Sequence, residues 1–151
     1  MSTASSAGRV AAERSPVRTA ALAVSIVFLL VGVLGFIPGV TTGFDTMTFA
    51  GHHSDAHLLG IFQVSVLHNI VHLLFGLAGL ALARTVSGAR SYLIGGGAVY
   101  LVLWLYGLVV GQNSSANFVP LNTADDWLHL VLGLGMIALG FLTTRRTAST
   151  R

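Results

Sequence analysis

Apolar residues run along this chain in four long stretches, and charged residues are confined to the segments around them. The stretches cover residues 19–37, 58–83, 92–111 and 127–144, and none contains Asp, Glu, Lys or Arg. Each has about the length of a bilayer-spanning helix, roughly 17–25 residues. Backbone polar groups cannot stay unpaired in lipid, so such stretches favour helices. The pattern predicts an all-α fold, a bundle of four transmembrane helices.

Local signals suggest where these helices begin and end. Pro38 is a suitable stop after the first stretch. Ser54 and Asp55 precede the second stretch and are candidate caps. Thr123 followed by Asp126 resembles a capping box that starts the fourth helix.

The domain organisation is simple. A length of 151 residues is typical of one domain, and we predict a membrane domain over residues 16–146. Residues 1–15, rich in Ser, Ala and Thr, and residues 147–151 are predicted to be disordered cytoplasmic tails. A cleaved secretory signal is the alternative for the first stretch. Its apolar core exceeds the 7 to 15 residues of such signals, and no small-x-small cleavage site follows.

The composition supports a membrane protein. Hydrophobic residues make up 54% and charged residues 9%, against roughly 25% charged in an ordinary soluble domain. Disordered chains need low hydrophobicity and high charge, so disorder is excluded for the chain as a whole. Cysteine is absent, which excludes disulfides, thiolate metal sites and a cysteine nucleophile.

The signs of the charges predict an orientation. All eight basic residues are Arg, and they flank the first and fourth stretches at the chain ends or lie between the second and third. The opposite loops contain only acidic charges: Asp45, Asp55, Asp125 and Asp126. By the positive-inside rule, both termini are cytoplasmic in a multi-pass plasma-membrane protein. The excess of basic residues is therefore explained by membrane topology. We expect the protein to contact the lipid bilayer and not to bind nucleic acid.

Glycine is the main candidate for helix packing. Most of the 18 Gly lie within the four stretches, where small residues let membrane helices approach closely. A homo-oligomer formed through glycine faces is a further prediction.

The second stretch carries a polar stripe. At 100° per residue, Ser65, His68, Asn69 and His72 fall within about a third of the helix circumference. Polar groups inside a membrane normally face the bundle interior. Ser65 and Asn69 are therefore predicted to form a structural polar face, beside two histidines that are candidates for chemistry.

Several interpretations of these histidines stay open. They can form a satisfied interhelical hydrogen-bond network, or take part in a proton or quinone path. His68 and His72 can chelate a metal, although no third ligand is evident in the membrane. Haem needs ligands on both sides of the iron, so His129 of the fourth stretch, or a histidine from a second subunit, would have to join them. No cofactor is predicted outright; haem or a divalent metal is the alternative.

A second histidine cluster lies before the polar stripe. His53 and His57 have i,i+4 spacing if a helix begins near Ser54, and they are candidate metal ligands. His129, Asp125 and Asp126 are expected at a similar depth and could complete an extracytoplasmic divalent-metal site with them. A solvated loop with interfacial histidines is the competing interpretation.

The sequence resembles a family on four segments: LGFIPG at 34–39, LGIFQVSVLHNIVHLLFG at 59–76, YLIGGG at 92–97 and NFVPLNTADDWLH at 117–129. It is similar there to a domain of unknown function found in small four-helix membrane proteins of actinobacteria. The resemblance implies four spans in the plasma membrane, and no established activity or cofactor.

These observations predict a small, non-enzymatic membrane protein with a structural or accessory role. No nucleophile–base pair or phosphate-binding loop is evident, and no acidic residue lies within the four stretches. A haem- or metal-binding redox protein built on His68 and His72 is the alternative.

Overall fold

The computed structural model describes residues 15–149, with side chains described as far as residue 143. Four α-helices and three short strands form in the order α1 (Pro16–Leu34), β1 (Thr41–Thr42), β2 (His57–Leu58), β3 (Phe62–Gln63), α2 (Val66–Leu82), α3 (Val86–Val109) and α4 (Thr123–Ser149). A short 3-10 helix, Phe44–Thr46, lies between β1 and β2. The mostly helical fold is confirmed. Residues 1–14 and 150–151 of the predicted tails lie outside the described residues, and the backbone of residues 147–149 continues α4.

The second helix departs most from its prediction, because it begins at Val66 and not at residue 58. The preceding residues pair as an antiparallel sheet in the order β1-β2-β3. Between β2 and β3 the chain reverses through Leu59 and Gly60, which have positive φ of 55° and 71°. A short apolar run without charges suits a strand as well as a helix. The predicted start of the second helix at residue 58 is therefore wrong, and the sheet is a small addition to a mostly helical fold.

The caps of α2 and α4 also differ from those predicted. Ser65 is the N-cap of α2 and accepts a hydrogen bond from the His68 N–H at 3.1 Å, whereas Ser54 donates to the Val64 carbonyl. Before α4, the Asp125 N–H donates to Asn122 Oδ1, and the Asn122 N–H donates to Asp125 Oδ2, both at 3.0 Å. The capping box therefore lies one residue before the predicted pair.

The remaining helix ends shift by one to six residues. Pro16 opens α1, three residues before the predicted start, as suits a residue with no N–H to leave unpaired. The helix ends at Leu34, before Pro38. Thr85 caps α3 by accepting from the Gly88 N–H at 3.0 Å, so α3 starts at Val86 and not at residue 92.

Helices pack mainly as two antiparallel pairs, α1 with α2 and α3 with α4. Glycines make the close approaches. A Cβ added at Gly97 of α3 would lie 2.7 Å from the Gly133 carbonyl oxygen of α4. One added at Gly76 of α2 would lie 2.7 Å from Leu29 of α1. The glycine faces thus serve packing within the chain.

Among the residues that the structure describes, three helices are long and apolar enough to cross a membrane: α1, α3 and the Thr123–Thr143 part of α4. Outward-facing side chains are apolar, for example Leu74 and Val131, while Ser25 and Asn69 are buried. We call the end that carries β1–β3 the sheet end. The opposite end holds the α2–α3 connection, where Arg18 of α1 donates from Nε to the Ala83 carbonyl at 3.0 Å. This we call the arginine end.

Candidate functional site

Three histidines from two helices meet in the half of the protein nearest the sheet end. His68 and His72 of α2 and His129 of α4 are all buried and line the same two cavities. The rings of His68 and His72 contact each other in a tilted arrangement, with centroids 4.2 Å apart and ring planes at 46°. The structure therefore brings together the three residues that the sequence offered as cofactor ligands.

The larger cavity, of about 320 Å³, lies between α2, α3, α4 and the loop that precedes α4. Apart from the histidines and Tyr100, the described residues of its lining are all apolar, and none of them is Asp, Glu, Lys or Arg. Val71 and Phe118 line it and are 48% and 57% exposed on the outer surface. The cavity therefore opens sideways, through an apolar rim, onto the surface that faces lipid if the helices cross a membrane.

A smaller cavity of about 120 Å³ lies on the other side of the histidines, between α1, the sheet and α4. Asp125 is the one residue of its lining with a carboxyl group. Asp125 Oδ2 accepts from the Gln63 N–H of β3 at 3.1 Å and from the Asn122 N–H at 3.0 Å. This carboxyl group thus fixes the sheet to the start of α4.

An aromatic cluster packs against the histidines on the side of the arginine end. The Phe28 ring of α1 lies 5.6 Å from His72, 5.3 Å from Tyr100 and 4.9 Å from Phe75. Tyr100 of α3 meets His129 edge-to-face at 5.2 Å. Such ring pairs contribute about 0.5–1.5 kcal/mol beyond their burial, and they hold the imidazoles in place.

The hydrogen bonding of the three rings is incomplete. His72 Nδ1 bonds to the His68 carbonyl oxygen at 2.9 Å. Within the described part of the chain, Nδ1 of His68 and Nδ1 of His129 are buried with no hydrogen-bond partner at normal distance, although the side chain of Asn69 is near enough to interact with His68. A buried polar atom left unpaired costs about 1–3 kcal/mol. The site therefore presents unused hydrogen-bonding capacity in apolar surroundings.

The other members of the predicted polar stripe do not line these cavities. Ser65 is used as the helix cap. Asn69 is buried towards α1, where a Cβ added at Gly35 would collide with its side chain. Its Nδ2 lies 3.8 Å from the sulfur of Met47. Only the two histidines of the stripe contribute to the site.

The outer histidines are arranged differently from the prediction. Residues 53–56 are not helical, so His53 and His57 do not lie one helical turn apart on a common face. His57 lies in β2 and donates from Nδ1 to the Asp55 carbonyl at 2.9 Å. Across the described residues, no group of three His, Cys, Asp or Glu is placed so that it could hold a metal ion.

The residues that were not predicted to belong to this site include four that shape it, of which Asp125 was considered only for the outer metal site. Val71 and Phe118 form the rim, Tyr100 contacts His129, and Asp125 lines the smaller cavity. Tyr100 could have been found from the sequence, because a hydroxyl group deep in an apolar stretch requires a hydrogen-bond partner. Asp125 has a sequence signal as well, because it precedes His129 by one helical turn. The rim residues have no signal beyond their hydrophobicity.

Together these features define a mostly helical protein of membrane-type composition with a histidine-lined apolar cavity. It belongs to the family described as Domain of unknown function (DUF4383), whose profile matches residues 18–142. That match includes every residue of the two cavities. Neither a curated protein nor a solved structure matches the chain.

Proposed function

We propose that the protein crosses the plasma membrane four times, with both termini in the cytoplasm. α1 and α3 both run from the arginine end to the sheet end, so if both cross, the chain must return between them. α2 provides this return, although its 17 residues extend only about 25 Å, at 1.5 Å per residue. Arg18, Arg84 and Arg90 at one end support a cytoplasmic assignment for that end.

The absence of cysteine from the sequence makes this topology directly testable. Ser115, in the loop before α4, and Ser87, at the start of α3, are both exposed. In intact cells, a membrane-impermeant maleimide should label S115C and leave S87C unlabelled until the cells are permeabilised. Labelling of S87C alone would show that the orientation is opposite to the one proposed.

Within this topology, we propose that the protein binds a small, neutral, lipid-soluble molecule in the larger cavity. The observation that carries the proposal is the buried, unpartnered Nδ1 of His129 beside a cavity whose mouth lies on an apolar surface. Ligand sites are typically apolar hollows with a few convergent polar groups, of roughly 300–1,000 Å³. The cavity of about 320 Å³ has this character.

The composition of the cavity favours binding over catalysis. Covalent catalysis needs a nucleophile activated by a neighbouring base. The larger cavity is lined by three histidines but by no Ser, Thr or carboxylate. We therefore propose a non-enzymatic accessory role, in which the protein holds or presents a membrane-borne molecule.

The test is to identify what is bound to the purified protein. After extraction from native membranes in mild detergent, organic extracts should contain one enriched lipid-soluble species by mass spectrometry. Val71→Trp places a bulky ring at the mouth and should remove most of that species. Val102→Trp is the matched control, because Val102 is 64% exposed on α3 and does not line the cavity. Equal loss in both variants, or no enriched species, would contradict the proposal.

A bis-histidine haem protein is the second candidate, because His129 of α4 lines the same cavities as the two histidines of α2. Haem carries two propionates, for which basic partners would be expected. No Arg lines either cavity. The visible spectrum of the same preparation separates the candidates: we expect no Soret band, and a band lost in His129→Phe would favour haem.

A further inference from the structure

We propose that the ligand of the larger cavity is a neutral lipid whose polar end is a hydroxyl group, and that this hydroxyl donates its hydrogen to Nε2 of His72. The inference rests on the proposed function and specifies its ligand chemistry. Its basis is the protonation pattern imposed on His72 by the helix backbone, together with the absence of charged groups from the cavity lining.

The tautomer of His72 follows from one hydrogen bond. Its Nδ1 lies 2.9 Å from the carbonyl oxygen of His68. A carbonyl oxygen only accepts, so Nδ1 carries the hydrogen and, in a neutral imidazole, Nε2 is an acceptor. Within the described chain this is the one hydrogen bond of the His72 ring. The Nε2 lone pair therefore needs a donor, which a ketone or an ether cannot provide.

A hydroxyl group also suits the other two histidines. Nδ1 of His68 and Nδ1 of His129 have no hydrogen-bond partner at normal distance in the described part of the chain. Whichever nitrogen carries the hydrogen in those rings, each neutral imidazole offers one donor and one acceptor. A hydroxyl donates one hydrogen and accepts with its oxygen. It can therefore bond to His72 and to one neighbouring histidine at the same time.

Charged head groups do not fit the cavity. No Lys or Arg lines it to neutralise a phosphate or carboxylate, and the nearest carboxyl group, Asp125, lines only the smaller cavity. An unpaired charge within a membrane is costly. The exposed, apolar rim at Val71 and Phe118 lets a hydrocarbon tail pass out into lipid while the hydroxyl stays at the histidines.

The test uses three probes with the same alkyl chain: 1-dodecanol, dodecyl methyl ether and dodecanoate. Each is titrated into the full-length protein in dodecyl maltoside micelles, and thermal unfolding gives an apparent affinity, since a ligand that binds the folded state raises Tm. We expect dodecanol to bind about 2- to 10-fold more tightly than the ether, the range for one hydrogen bond. Dodecanoate should bind no more tightly than the ether.

The variants assign the preference to His72. His72→Phe keeps a ring against Phe28 and should reduce the preference for alcohol over ether, whereas His57→Phe, on the sheet, should keep the wild-type preference. Equal binding of alcohol and ether by the wild type overturns the hydroxyl inference but leaves the proposed function standing, as does a preference for dodecanoate. If no probe binds and no lipid-soluble species co-purifies, the proposed function itself fails. The comparison of dodecanol with dodecyl methyl ether in the wild-type protein tests the hydroxyl inference even if His72→Phe does not fold.

Discussion

Replacing Gly97 by Ala is expected to destabilise the folded protein by about 1–3 kcal/mol, the range for overpacking a close-packed interior. The new Cβ would lie 2.7 Å from the Gly133 carbonyl oxygen and 3.1 Å from the Ile137 backbone nitrogen of α4. Backbone atoms cannot rotate away as a flexible side chain can. The α3–α4 pair must therefore separate locally, with loss of the contacts that hold His129 opposite α2.

Gly95 is the matched control because it lies in the same helix, two residues away. A Cβ added there meets no atom within 4 Å among the described residues. Gly95→Ala should leave stability unchanged or raise it by up to about 1 kcal/mol, because Ala is the better helix former. Unfolding by SDS titration in mixed micelles measures both variants. Equal stability of the two variants would contradict the α3–α4 contact described here.

Replacing Asp125 by Ala is expected to destabilise the folded protein by about 2–6 kcal/mol, because two backbone donors lose their acceptor at once and each loss costs about 1–3 kcal/mol. These donors are the N–H groups of Gln63 and Asn122, both bonded to Oδ2. Asp125 is 2% exposed, so water cannot easily replace the lost acceptor. The sheet and the start of α4 should loosen together.

The controls for Asp125 differ in charge and exposure. Asp125→Asn keeps an oxygen acceptor and should cost less than Ala. Asp45→Ala changes an exposed carboxyl group at the same end of the molecule and should stay within about 0.5 kcal/mol of wild type. The same SDS titration applies. A loss at Asp45 as large as that at Asp125 would show that charge at this end, and not the hydrogen-bonded tie, sets the stability.

The helices could be predicted because an apolar, uncharged stretch of about 20 residues has few alternatives. The start of the second helix is the exception. Residues 58–65 have the same composition as the helices around them, yet they form β2, a turn at Leu59 and Gly60, and β3. Composition cannot separate a short apolar strand from a helix end. The deciding contacts, such as the Gln63 bond to Asp125, join residues far apart in sequence.

The histidine site could be predicted only in part for the same reason. The shared face of His68 and His72 follows from helical periodicity alone. That His129 lines the same cavities depends on how α4 packs against the rest of the chain, which no local pattern encodes. For Asn69, helical periodicity predicted the face correctly but did not predict where the side chain lies. This residue lies on the predicted face, but the close approach of α1 at Gly35 places its side chain outside the cavities.

Binding at the three buried histidines is the central claim, and the six histidines of the chain allow it to be tested in one spectrum. In protein labelled with ¹⁵N-histidine, addition of 1-dodecanol should shift the ring nitrogens of His68, His72 and His129. His52, His53 and His57 at the sheet end are the internal controls and should not move. Before addition, His72 should show the Nδ1–H tautomer. Unchanged signals from all six rings, or shifts confined to the three outer histidines, would contradict the claim.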